Sequence, residues 1–447
     1  MKLQQFVVSL CLISLSMPGW ARNDRLIIPD RIEWKLNTTV DGKAVELSIP
    51  KDQGRISSFG KKVQESLLAE IKRVEANQSL AKAIGKSFFQ GPPIATTARL
   101  SPDYERSLNE VAISVSFADA NSENPVFRSL PILKALPPYS KIHLIMPKQA
   151  EGAVRAVLHA EQLIGRSELH PAKGWSKKKE NLTEYSRSTR WIRDTFLIGG
   201  DENRTPVVFK PLAYARISDL TQSDLNFLDS AWRNKHTIKP LPGFIRGGNV
   251  AVADNGAGRR VAFLGHDEIN QNEAHYLYAT AITPPRDLIP EIIKRIAKVP
   301  QVEILPNSTL LFHLDMAVSF ISPGVAALLS PIDEKNLGND EIVVLTTLRK
   351  ALAANGFKIV NIPTTTTRIK AYQSPVNILP FKNKNSGVQS AIVPWFPDVA
   401  VTIDGQPQSL NSAIRKAYEI AGLEVIYAED RFFDQRGNVH CTIVGLY

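Results

Sequence analysis

The residues best suited to do chemistry close the chain, in Asp434-Gln-Arg-Gly-Asn-Val-His-Cys-Thr442. The 447 residues include only two cysteines, and the other, Cys11, lies in an apolar N-terminal stretch. If that stretch is removed, one thiol remains and no disulfide can form within the chain. A lone thiol in an exported protein marks either intermolecular pairing or reactivity. We read Cys441 as a nucleophile whose partners must be supplied from elsewhere in the chain.

Three other stretches could supply them. Leu310-Leu-Phe-His-Leu-Asp-Met316 reads as a strand or bent strand. Side chains two apart share a strand face, so His313 and Asp315 are expected to point the same way, an acid/base and an anion facing one cavity. The plain alternative is a histidine satisfied by a neighbour at a strand end. In Arg190-Trp-Ile-Arg-Asp-Thr-Phe196, Asp194 sits among apolar residues, where a carboxylate is costly to bury unpaired. It is either an ion-pair partner of Arg193 or a receptor for a cation. Pro242-Gly-Phe-Ile-Arg-Gly-Gly-Asn-Val250 holds paired glycines, which allow a sharp turn or a close backbone approach to a ligand.

The elements that must position these residues read as strand–helix units. From about residue 105 a strand is expected over 111–117 and another over 141–146, with a helix over 151–163. Later come helix 288–297, strand 302–305 and a bent strand or strand pair over 308–320. A strand-to-helix stretch follows over 342–355, then strand 358–362, helix 410–421 and strand 425–428. Such alternation with Gly and Pro punctuation argues for an α/β domain. The units recur without a crisp period, so a repeat architecture is only suggested.

Residues 22–104 read as a small α+β extension. It holds a hairpin over 32–49 with its turn at Asp41-Gly42, and apolar residues at helical spacing over 57–88 that read as one or two amphipathic helices ending near Gly85. Residues 1–21, with Lys2, a short apolar run and small residues at Gly19 and Ala21, have the parts of a secretory signal. The run is short for a membrane span, which needs about 20 apolar residues; a retained anchor is the alternative. The formal net charge is +10, but the basic residues are dispersed. The dense run 173–179 reads as a solvated loop, so no nucleic-acid partner is expected.

Trp191-Ile-Arg-Asp194, Gly247-Gly-Asn249, His313-Leu-Asp315 and Gly437-Asn-Val-His-Cys441 occur in the order seen in the guanidino-group modifying enzymes. The chain from about 105 onward resembles that superfamily: the agmatine, arginine and peptidylarginine deiminases of the pentein fold. The resemblance implies an α/β propeller of five ββαβ-type modules over 105–447. It implies Cys441 as nucleophile, His313 as general acid/base, and Asp194 and Asp315 gripping a guanidinium, with Arg246 and Asn249 at the substrate. It needs no cofactor; some relatives use calcium structurally, and no EF-hand-like loop stands here. The reaction implied is deimination of peptidyl or substituted arginine to a ureido product plus ammonia, in an exported protein. Agmatine deimination or amidino transfer are alternatives within the class. One departure stands out: Arg246 occupies a position where the agmatine and arginine deiminases carry an acid. That departure fits the peptidylarginine deiminases, a changed substrate, or a non-catalytic binding module. A zinc site built from His313, Asp315 and Cys441 ranks last, since they lack companion ligands at zinc-site spacings.

Overall fold

The computed structural model describes residues 35–40, 43–48, 58–91, 98–115, 124–172, 191–201, 205–212, 237–432 and 436–446. The secretory signal, the basic run 173–179 and the proposed hairpin turn at 41–42 lie outside them. Contacts divide the chain into two compact units, one ending at Ser79 and one beginning at Leu80. The first contains strands β1 (Lys35–Val40) and β2 (Lys43–Ser48), paired antiparallel as the sequence suggested, and most of helix α1 (Ser58–Phe89). The anticipated helix end near Gly85 is not seen: α1 runs through it as one helix.

The second unit takes in residues that the sequence assigned to the extension. Phe88, Ala98 and Leu100 are buried in its core, and β3 (Arg99–Leu100) pairs with β7 (Leu197–Gly200). The border expected at 104–105 therefore falls inside this unit.

Among the described residues, five sheets of the second unit repeat one pairing pattern, and none closes on itself. Each has an antiparallel pair whose second strand takes a parallel neighbour. The members are β7, β8 (Pro206–Lys210) and β9 (Thr237–Pro240); β10 (Val250–Asp254), β11 (Arg260–Gly265) and β12 (Val302–Leu305); and β13 (Val318–Ser322), β14 (Val325–Pro331) and β15 (Lys358–Thr364). They continue with β16 (Leu379–Lys382), β17 (Gln389–Trp395) and β20 (Glu424–Glu429), the hairpin β18 (Ala400–Ile403)–β19 (Gln406–Ser409) lying between β17 and β20 in sequence. The last sheet joins the two ends of the unit. β21 (Ile443–Gly445) pairs antiparallel with β4 (Glu110–Ser114), which runs parallel to β5 (Lys141–Pro147), and β5 to β6 (Ser167–Ala172).

Parallel neighbours require a crossover, and among the described residues helices supply it between β11 and β12, β14 and β15, and β17 and β20. In α5 (Leu288–Ala297) Ile289, Ile292, Ile293 and Ile296 recur at helical spacing and are all buried, and the helix stops at Lys298 in the left-handed conformation. In α8 (Leu410–Ile420) Leu410, Ile414 and Tyr418 make the same kind of stripe, Ser409 capping the start by accepting from Ser412 N. The stretch read as strand-to-helix over 342–355 is instead one helix, α6 (Asn339–Ala354). Its Val344, Leu345, Leu348 and Leu352 are buried at helical spacing, which decides the period over β propensity.

Ile293→Ala is expected to lower stability by about 2–5 kcal/mol, because Ile293 is fully buried and the cavity cannot be filled by its rigid neighbours. A urea titration of both proteins reads the difference; less than 1 kcal/mol would mean that the α5 stripe is not the packed face described.

Candidate active site

Gly248 is the point at which the separate stretches meet. A β-carbon built there would lie 2.8 Å from His313 Nδ1 and 2.9 Å from Asp315 Oδ2. Its backbone N–H donates to Asp194 Oδ1 at 3.2 Å. Only a residue without a side chain lets the backbone come this close to all three groups. Gly247 is equally confined, its missing β-carbon falling 2.1 Å from the Arg193 carbonyl oxygen.

His313 and Asp315 do not share a strand face as expected. His313 is extended, and Leu314–Met316 then forms a 3-10 turn ahead of β13. Both side chains nevertheless reach Gly248, because the turn rotates Asp315 back to the side that His313 faces. Asn249 sets this turn. Its Oδ1 accepts from Leu314 N (3.0 Å) and Asn307 Nδ2 (3.1 Å), while its Nδ2 donates to Glu268 Oε1 (3.1 Å) and the Phe312 carbonyl (3.3 Å). Those four bonds use the whole capacity of the amide, so Asn249, expected at the substrate, is a fully engaged internal brace.

Cys441 lies in α9 (Val439–Thr442), buried, and is a free thiol. Its Sγ is 3.5 Å from Asp315 Oδ2 and receives a hydrogen bond from Asn377 Nδ2 at 3.3 Å. The same Nδ2 donates to the Asp315 carbonyl (3.2 Å), and Asn377 Oδ1 accepts from His440 N (2.8 Å), so one amide ties the thiol segment to the Asp315 turn. Gly437, in the loop before Cys441, packs against Trp191, whose ring a β-carbon there would enter at 2.4 Å.

Asp315 is held from behind. His440 Nδ1 lies 2.9 Å from Asp315 Oδ2, and its Nε2 lies 3.1 Å from Asp103 Oδ2. Asp103 is gripped by Arg193 through two bonds of 2.9 and 2.6 Å and by Arg106 at 2.5 Å. Arg193 thus turns to Asp103 rather than to Asp194, a pairing that was one of the two readings of Asp194. A cavity of about 50 Å³ borders this cluster, with Asp103, Arg106, Arg193, Asp315 and His440 in its wall. Sequence reasoning missed Asp103 and Asn377; nothing local marks Asn377, and the Asp103–Arg106 spacing looks like an ordinary surface pair.

Arg246 is engaged elsewhere. Its guanidinium binds Asp267 (2.6 Å) and Glu268 (2.5 Å), and its backbone N–H donates to Glu268 (2.8 Å). Arg246 was also expected at the substrate; its head group is occupied by these two acids.

The electrostatics follow from burial. Burial lowers His313 to about 3, with the Arg246 charge adding and Asp315 opposing, so the imidazole is neutral at ordinary pH. Burial raises Asp194 to about 7, Arg246 opposing and Asp315 adding. Burial works to raise Asp315 and Asp103 too, but is outweighed at Asp315 by its hydrogen bond with His440 and by the neighbouring His440, His313 and Arg193, and at Asp103 by Arg106, Arg193 and the hydrogen bond with His440. Burial, Asp315 and Asp194 together push the Cys441 thiol well up. Both nitrogens of His313 and Oδ1 of Asp315 are buried without a hydrogen-bond partner. Unmet buried polar atoms are costly, and these three all belong to residues packed on Gly248.

No family model matches the chain, and no curated protein matches it in sequence. Solved structures do match in fold. They include an agmatine deiminase from C. jejuni, 18% identical with a TM-score of 0.52 over 78% of this chain and 95% of that one. An agmatine deiminase of Enterococcus faecalis is 12% identical, with a TM-score of 0.54 over 78% of this chain and 97% of that one. A candidate peptidyl-arginine deiminase is 16% identical, with a TM-score of 0.56 over 79% of this chain and 99% of that one. The α/β fold is therefore similar to that of these solved deiminases, in line with the resemblance that the motifs carry. Among the described residues no helix is long and apolar enough to cross a membrane.

The raised Asp194 has a measurable consequence. Between its unfolded pKa near 3.9 and about 7, the folded protein holds a proton that the unfolded chain does not. Stability is therefore lost as pH rises through that window, by at most about 1.4 kcal/mol per pH unit. Asp194→Asn removes this penalty. Its stability relative to the parent is expected to climb from pH 4 to 7 and level off above; a pH-independent difference in urea unfolding would refute the assignment.

Proposed function

We propose that this protein is a guanidino deiminase in which Cys441 attacks the guanidinium carbon and releases ammonia. The observation that carries the reading is the set of unmet polar atoms around Gly248: an acceptor on Asp315 and both nitrogens of His313, beside a thiol and a second carboxylate. A guanidinium is planar, always charged and rich in donors, and two carboxylates can accept its N–H groups in charge-assisted bonds. The fold supports the class of reaction; the five repeated sheets are, in this reading, the blades of a propeller around the site.

The electrostatics fit a substrate-assisted sequence. Without substrate, two carboxylates and burial keep Cys441 as the thiol. A bound guanidinium between Asp194 and Asp315 neutralises that field and adds a cation, both of which favour the thiolate. Neutral His313 takes the thiol proton, and the sulfur attacks the guanidinium carbon. His313 returns the proton to the departing amino group, which leaves as ammonia. Water then adds to the amidino-thioether, giving its proton to His313; the carbon–sulfur bond breaks, the ureido product forms, and the thiol is restored. Asp315 and Asp194 hold the substrate throughout.

Peptidyl or otherwise substituted arginine is the substrate class we favour, because Arg246 is committed to Asp267 and Glu268 and offers no carboxylate to a free amine. Agmatine remains the second reading, since solved agmatine deiminases share the fold. We further propose that residues 1–21 direct export, which sequencing the N-terminus of the mature protein would test.

Purified protein offered an arginine-containing peptide, free arginine and agmatine should release ureido product and ammonia from the peptide, and Cys441→Ser should reduce turnover to background. Gly248→Ala should lower kcat by about 100-fold or more while the protein stays folded, because the added methyl displaces His313 and Asp315. Asp315→Asn should cost a similar factor. Product from agmatine alone would reassign the substrate. No product from any of the three, with the protein folded, would sink the deiminase reading.

A further inference from the structure

A second cluster of titratable groups lies away from Gly248, on the sheet that β21 joins just after Cys441. His143 on β5 and Glu168 on β6 are cross-strand partners, and His170 stands two residues beyond Glu168 on the same face. His143 Nδ1 and His170 Nε2 are 3.0 Å apart. Glu168 Oε2 is 3.8 Å from His143 Nδ1, and its Oε1 is 3.7 Å from His170 Nε2. The donor atoms of the three residues all lie within 4.8 Å of one another.

Two features go beyond proximity. His143 Nε2 faces Glu110 Oε2 at 3.2 Å across the β4–β5 pair. A carboxylate on the far nitrogen fixes a histidine tautomer and leaves the near nitrogen as a lone pair, the support that metal-binding histidines ordinarily have. The burial is also graded: the His143 and His170 side chains are 1% and 9% exposed, while Glu168 is 43% exposed. Two buried nitrogens are thus capped by a carboxylate at the rim.

We propose that His143 Nδ1, His170 Nε2 and the Glu168 carboxylate form a binding site for a borderline divalent cation of the zinc class, with Glu110 as the orienting partner. Tetrahedral bonds of about 2.0–2.2 Å to nitrogen and carboxylate oxygen place donors roughly 3.3–3.6 Å apart, so binding would spread the two imidazole nitrogens from 3.0 Å and draw the rim carboxylate inward from its present distance. Two imidazoles and one carboxylate suit zinc, cobalt or nickel better than calcium or magnesium. Lys141, which pairs with Glu168 Oε2 at 2.5 Å, competes with the ion for the carboxylate. The ion would clamp β5 to β6 in the sheet that carries β21.

The test uses the untagged full chain with Cys441→Ser, so that the thiol cannot bind the ion, stripped of metal by a chelator. Titrated Co²⁺ should give saturable visible absorption at one equivalent, and Zn²⁺ should displace it and raise the melting temperature. His170→Gln should abolish the absorption and the thermal shift. Glu110→Gln should weaken affinity about 10- to 100-fold, and Lys141→Gln should strengthen it. Circular dichroism confirms that each variant is folded, and His143→Gln provides a second ligand deletion should His170→Gln fail to fold. No saturable absorption, or equal binding by both ligand variants, would overturn the site and leave His143 and His170 as a direct imidazole–imidazole hydrogen bond.

Discussion

The Asp315 carboxylate has two oxygens in different circumstances, and the site depends on that difference. Oδ2 is taken by His440 and lies against the Cys441 sulfur, while Oδ1 is buried with no partner. One oxygen fixes the group, and in the proposed reaction the other takes the ligand. Fixing it requires a chain of hydrogen bonds and ion pairs running away from the site: His440 to Asp103, and Asp103 to Arg193 and Arg106. Removing any one member would leave an uncompensated charge in a poorly solvated place, which costs far more than an exposed pair ever contributes.

On the proposed reading, this arrangement would let the site receive a cation. His313 is kept neutral by burial and by Arg246, and the thiol is kept protonated by the two carboxylates. In the proposed reaction the field is therefore negative where a guanidinium would lie, and the groups assigned to exchange protons start in the states that let them do so. Arg246 acts through space: its head group is bonded to Asp267 and Glu268, yet its charge is felt at Asp194 and His313. The cost of assembling so many unmet groups is carried by the crossover helices and sheets around them, whose apolar stripes are buried almost without exception.

The sequence by itself determined a good deal. Helical stripes such as Ile289–Ile296 and strands such as 141–146 and 358–362 were legible because burial of one face imposes a period on the residues. The order of Asp194, Gly247-Gly248, His313-Leu-Asp315 and Cys441 carried the fold, since chemically distinctive residues are few and their types cannot be exchanged freely. Tertiary structure alone decided how they meet. Alternation predicted a shared strand face for His313 and Asp315, but Asn249 holds Leu314 N and the Phe312 carbonyl and winds that stretch into a turn. The partner of Arg193 proved to be Asp103, 90 residues away, rather than its neighbour Asp194. Asn377 could not be read at all, because an amide becomes a brace only when folding brings Cys441 to one side of it and Asp315 to the other. Local pattern reports which face of an element is buried; it carries no record of which distant polar group will be there to meet it.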